Sequence, residues 1–244
     1  MNSDFGSIRP AQRPQPSISP PKATRELPVE EVSYYLLTPR NHRSPVLRKA
    51  FRLWRDGWLE TLKEVAGIRQ LDSDEFARQD EIGILARGEE VLCVTGLRWV
   101  DMASPVVLED SYFRKWPSEA ISALGECVVG ISSNTIVSPD YRRCLLMPPA
   151  SAGAGLMSQP TPITAATIGL TGVRFAHSRA EKFLAVPRND RGMNRLLGVL
   201  GGVKVGQIQV HGIDSDIIVK DRSESCQFGT VVDDLWQRCE HLAH

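Results

Sequence analysis

The chain of 244 residues predicts a mixed α/β (α+β) fold, one domain over 29–244 that closes on a C-terminal helix, behind a Pro-rich disordered tail over 1–28. Three observations carry that reading. After the tail, segments of strand and helix character follow in the order strand, helix, hairpin, central strand, helix, strand, helix, paired strands. An apolar, β-branched run from Cys127 to Val137 stops at Ser138-Pro139, because proline has no amide to donate and biases its predecessor toward extended backbone. The tail itself is interrupted at Pro10, Pro14, Pro16, Pro20, Pro21 and Pro28, and holds too little apolar surface to offset its ordering entropy.

Glu31 to Leu37 (EVSYYLL) is rich in aromatic and β-branched residues and predicts the first strand. From Ser44 to Gly67 the apolar residues Leu47, Phe51, Trp54, Trp58, Leu62 and Val65 recur at three- and four-residue steps, one stripe of a helix that Ser44 caps and Pro45 opens. A polar connection, Gln70 to Gln79, carries Asp72, Asp74 and Glu75. Glu81–Arg87 and Glu90–Val100 flank Gly88-Glu89 as a hairpin, with Arg98 at the exit of its second strand. A loop and a short helix from Pro117 lead to the central strand, and a Pro-interrupted loop follows Arg143. Next come a helix over Thr161–Ser178, a strand over Glu181–Val186, and a helix capped by Asn189 and closed by Gly201-Gly202. Two paired strands (Val203–Val210, Asp216–Val219) precede a final helix with Val231, Val232, Leu235 and Trp236 on its apolar side.

Lys plus Arg and Asp plus Glu both number 29, so the zero net charge gives no global argument for a nucleic-acid or membrane partner. No apolar run is long enough for a membrane span, and the N-terminus lacks the apolar core of a secretory signal. A cytoplasmic location is expected. The five cysteines are odd in number and without C-x-x-C spacing, which favours reduced buried thiols over a disulfide frame or a zinc site. Of the histidines only His241-x-x-His244 has ligand spacing, at the C-terminus, and no metal is expected.

The close of the central strand, V-S-P-D-Y-R-R, resembles the fourth strand of the GNAT acyltransferase superfamily, and the order of elements is similar along nearly the whole chain after the tail. E-K-F-L-A-V-P-R-N-D-R followed by N-R-L-L-G-V-L-G-G looks like the superfamily's fifth strand and fourth helix. The resemblance implies a mixed, mostly antiparallel central sheet flanked by helices. It also implies a splay between the fourth and fifth strands that receives the pantetheine arm of an acyl thioester. The front half resembles the autoinducer (acyl-homoserine-lactone) synthases and the N-acyl amino acid synthases, through Arg48, Phe51, Trp54, Trp58, D-S-D-E-F, V-T-G-L-R and L-E-D-S-Y-F. Where that branch has Glu-x-Ser-Arg, this chain has Ile131, Ser132, Ser133 and Asn134, so only the serine is kept. The Gly-rich phosphate loop is likewise not reproduced: A-G-A-G at 152–155 comes late, after Pro148-Pro149.

What the resemblance implies is an acyltransferase moving an acyl group from a pantetheine thioester to the amine of an amino acid or a related small molecule. The donor is an acyl carrier protein or acyl-CoA, and no cofactor stays bound. An acyl-CoA-dependent acetyltransferase and an inactive GNAT-fold binding module are the alternatives. Ser133, Asn134 and Asp74 are the candidate catalytic residues, with Glu109 and Glu119 as further sources of a base in place of the missing carboxylate. Trp54, Trp58, Arg98 and Phe113 are candidates for the substrate pocket. Each tryptophan either packs in the core or walls that pocket, and Arg98 is either ion-paired or clamps a carboxylate. Thr135, Ile136, Val137, Arg142, Arg143 and Asn194 are candidates for the pantetheine and acyl chain, the strand bulging around Asn134–Val137 to expose an oxyanion donor. Asn134 either orients substrate or satisfies buried backbone. Arg142 and Arg143, with Arg179, Lys182 and Arg188, either form a basic patch for an acidic carrier or are scattered solvated charges.

Overall fold

A computed structural model of the chain describes residues 24–40, 43–67, 69–71, 74–152, 158–222 and 229–240, without the side chains of Val65, Ala66 and Asp74. Asp72, Gly153–Gly155, Cys226, His241 and His244 lie outside the described residues, as does the tail up to residue 23.

The tail gives way to structure earlier than its prolines suggest. Arg25–Pro28 is a strand (β1), and Leu27 is buried in the core. A 3-10 turn leads into β2 (Ser33–Leu37). The first helix, α1 (Pro45–Ala66), begins and ends where its caps require: the Ser44 hydroxyl accepts from the Leu47 amide at 3.3 Å, and Gly67 closes it in the left-handed conformation. The polar connection contains one helical turn, α2 (Asp74–Ala77), before the hairpin β3 (Glu81–Arg87) and β4 (Glu90–Asp101). Two short helices, α3 (Pro105–Leu108) and α4 (Ser118–Leu124), precede the central strand β5 (Val128–Val137).

The loop expected after Arg143 starts with a strand, β6 (Cys144–Met147), and ends in another, β7 (Thr161–Pro162). β6 lies between β1, parallel to it, and β7, antiparallel, in a small second sheet. Then come α5 (Ile163–Ala176), β8 (Lys182–Ala185), α6 (Met193–Val199), β9 (Val203–Val210), β10 (Ile213–Asp221) and α7 (Thr230–Gln237). The helix expected from Asn189 is a 3-10 turn over Asn189–Arg191 broken from α6 at Gly192. Asn189 does not cap it; its side chain is drawn instead to Asp216 on β10, donating to Oδ1 at 3.0 Å.

The main sheet has seven strands in the order β2-β3-β4-β5-β8-β10-β9. Every neighbouring pair is antiparallel except β5 and β8. Apolar residues of α5 and α7 (Leu170, Phe175, Val231, Leu235) form one core with Leu85, Leu92 and Leu97 of the sheet. On α1 the residues Leu47, Ala50 and Trp54 form another with Ile82, Ile84 and Val94. A third joins α4 to β5, β8 and β10 through Leu124, Val129, Leu184 and Ile217. The mixed, mostly antiparallel sheet flanked by helices is thus the architecture the sequence implies.

Candidate active site

β5 changes character half-way along. Its first four residues pair with β8, from Val129 opposite Lys182 to Ser132 opposite Ala185, and the register stops there. Past Ser132, β5 continues for five residues with no β8 partner, and all five are half-buried. On its other side β5 stays paired with β4, but irregularly. Ser133 lies opposite Gly96 and Ile136 opposite Val94, so three steps along β5 match two along β4. The additional residue is a β-bulge, and Asn134 takes it with φ 58°. β8 itself ends at Ala185, so from Ser133 on β5 has an unpartnered edge on one side and a bulge on the other, at the place where the resemblance implies a splay.

Side chains tie the bulge down. Ser133 Oγ donates to Gln79 Oε1 at 3.1 Å, and Asn134 Nδ2 donates to Ser133 Oγ at 3.3 Å. Thr135 shares a 2.8 Å hydroxyl contact with Thr95 of β4. Gln79 is only 5% exposed and lies across Gly96, where a Cβ would come within 2.7 Å of its amide carbon. Ile136 meets Gly57 of α1 as closely, with a Cβ there 2.9 Å from its Cγ2. Ser133, Asn134, Thr135, Ile136 and Val137 therefore form one continuous element. Gln79 belongs with them, and nothing in the sequence marks it, since a lone glutamine in a polar connection has no signature.

The other candidates are placed apart from this element or are engaged elsewhere. Arg98 is 17% exposed on its side chain, and its Nη2 donates to Asp110 at 2.9 Å; Arg78 takes the other oxygen of Asp110 at 2.6 Å. Burial pushes the Asp110 carboxyl up, but the Tyr112 amide and the two guanidinium groups more than reverse that and hold it at about 2. Arg98 sits opposite Ile131, two residues before Ser133 on the same face of the sheet, which puts the two positions about 7–8 Å apart. Trp54 is 1% exposed and packs among Phe51 and Phe76, so it is core, not pocket wall. Trp58 is half-buried beside that core. Phe113 is buried between Tyr112 and Trp116, which makes it packing too.

Asn194 donates to Asp216 Oδ2 at 3.0 Å and accepts from the Arg195 amide, so both ends of its side chain are committed within the protein. Asp216 also receives Lys204 at 2.7 Å; burial pushes its carboxyl up, and the Lys204, Asn194 and Asn189 contacts pull it below the usual range. Arg142 and Arg143 are exposed on the turn after β5. The side chain of Asp74 lies outside the described residues. A cavity of about 550 Å³ lined by Lys115, Pro117, Gln207, Gln209 and His211 opens at β9, three strands from β5.

No family model matches the chain, and no curated protein matches it. Solved structures do. A CoA-dependent acyl-homoserine lactone synthase, BjaI, with SAM and isopentyl-CoA aligns over 87% of this chain and 94% of its own at 15% identity, with a TM-score of 0.52. The same protein with MTA gives the same figures. The chain has the GNAT fold. A looser likeness, TM-score 0.46 at 14% identity over 79% of this chain and 91% of the other, is to FeeM, an N-acyl amino acid synthase from uncultured soil microbes. In the GNAT fold of this chain, β5 and β8 are the parallel pair, and Ser133 to Val137 run on past the end of β8.

Proposed function

We propose that this chain is an N-acyltransferase that moves an acyl group from a pantetheine thioester, carried by an acyl carrier protein, to the amine of an amino acid. The observation that carries the reading is the coincidence of two features of β5: its edge is free past Ser132, and its backbone bulges at Asn134. A tether enters a parted edge, and a bulge turns backbone N–H groups away from the ladder, toward the place where a thioester oxyanion forms. One preorganised donor of that kind contributes roughly 3 kcal/mol.

In the reaction the amine nitrogen attacks the thioester carbonyl carbon. A C–N bond forms, the C–S bond breaks, the pantetheine leaves as a thiol, and the amine loses a proton to solvent or a base. Arg98 supports an amino acid as acceptor. Its Nη2 is held by Asp110, which leaves the other N–H groups of the guanidinium for a substrate carboxylate. Arg98 lies on the same face as Ser133 and two residues away, so that an α-amine beside that carboxylate comes toward the bulge. Donors of both kinds test the reading. The protein is incubated with decanoyl-carrier protein or decanoyl-CoA and a mixture of amino acids, and amides are read by mass spectrometry alongside free thiol. An amide from the carrier-protein donor supports the proposal. Amide from the CoA donor alone moves the donor to acyl-CoA, and no amide from either overturns it.

A further inference from the structure

We propose that Gln79 is a positioning residue that makes Ser133 a hydrogen-bond acceptor for the attacking amine and denies it any role as an oxyanion donor; this rests on the acyl-transfer reading above. The argument is one of donors and acceptors. Gln79 Nε2 donates to the Glu75 carbonyl at 2.7 Å, and a carbonyl can only accept, so the amide's orientation is fixed. Its Oε1 therefore faces Ser133, and since that oxygen also only accepts, the single hydroxyl proton of Ser133 is committed to it. Asn134 Nδ2 occupies one lone pair of Ser133 Oγ. One lone pair is left and no proton, so what Ser133 presents is a bare acceptor.

That polarity selects a partner. A thioester oxygen gaining negative charge finds no donor at Ser133 and must rely on backbone N–H groups of the bulge. An amine, its lone pair aimed at the carbonyl carbon, still has an N–H to give. As the C–N bond forms the nitrogen becomes positive, and a hydrogen bond from a charged donor is roughly twice as strong as one from a neutral donor. The contact thus strengthens in the transition state and acts on kcat more than on acceptor KM. The fold holds Gln79 for the purpose: it is buried, its backbone amide is tied to the Phe76 carbonyl, and Gly96 leaves the space its side chain fills.

The test is a double-mutant cycle on the full chain, with the donor and amino acid that the wild type uses. Ser133→Ala and Gln79→Met are each expected to lower kcat about tenfold with acceptor KM changed less than threefold. The double variant is expected to fall no more than about twofold below either, because Gln79 acts only through Ser133. Gln79→Glu, kept neutral by burial, donates its carboxyl proton to the Glu75 carbonyl and keeps an oxygen that accepts the serine proton, and is expected to stay within about threefold of wild type. It also stands in should the methionine variant fail to melt cooperatively. Losses that multiply to about a hundredfold in the double variant overturn the inference, as does Ser133→Ala at the wild-type rate or a folded Gln79→Glu as slow as Ser133→Ala. In those cases acyl transfer itself stands. A wild type that forms no amide from either donor overturns the acyl-transfer reading, and this inference with it.

Discussion

Asn134 holds a left-handed backbone at φ 58°, which asparagine tolerates and β-branched residues do not. Asn134→Val is therefore expected to destabilise by about 1–2 kcal/mol, and Asn134→Gly to cost much less, as denaturant titration would read. Arg98 lies on the same face as Ser133, and where its guanidinium clamps an acceptor carboxylate, as proposed, Arg98→Ala should raise acceptor KM about tenfold or more, and Arg98→Lys distinctly less; an alanine variant with wild-type kinetics refutes the clamp. Asp110 has its folded pKa depressed to about 2, below the ordinary 3.9 or so of an unfolded chain. A depressed carboxylate stabilises the fold above its unfolded pKa. That contribution, roughly 2 kcal/mol, is intact near pH 5 and is lost as the pH falls through 4 toward 2. Asp110→Asn should flatten this acid limb, seen as a melting temperature that falls less between pH 5 and pH 2.5 than that of the wild type.

Elements with their own punctuation were legible in the sequence. Ser44-Pro45 and Gly67 bounded α1, and Gly88 marked the hairpin, each through a local rule that tertiary structure had no cause to override. The central strand was legible through V-S-P-D-Y-R-R, whereas the bulge around Asn134–Val137 came only with the resemblance that motif carries. β1 and β6 were not, because R-E-L-P and C-L-L-M are short runs beside prolines, and they become strands only through distant partners, β1 through β6 and β6 through β1 and β7. Asn189 looked like a cap because asparagine usually is one; the pull of buried Asp216, far off in sequence, won instead. The same non-local character hid Gln79. Packing between α1 and β5 leaves room for no side chain at Gly57, whose Cβ would press on the stiff, branched Ile136. Gly57→Ala should gain about 1 kcal/mol of helix propensity and lose more to that clash, for a net destabilisation of about 1 kcal/mol in denaturant titration.

Across the whole molecule, the last described segment returns to the first. The Glu240 amide donates to the Tyr34 carbonyl at 2.9 Å, and the Leu36 amide donates to the Glu240 carbonyl at 3.2 Å, a bridge on the outer edge of β2. Arg238 reinforces it, donating to the carbonyls of Val29 at 2.9 Å and Val32 at 3.1 Å while paired with Asp234. The bulged strand at the centre of the sheet thus sits in a frame whose first edge is sealed by residues some two hundred positions later in the chain. A growing polypeptide translated from its N-terminus has no such seal to offer. β2 stays a bare edge until residue 240 clears the ribosome, and only then does the row of amides stop inviting strands from other nascent chains.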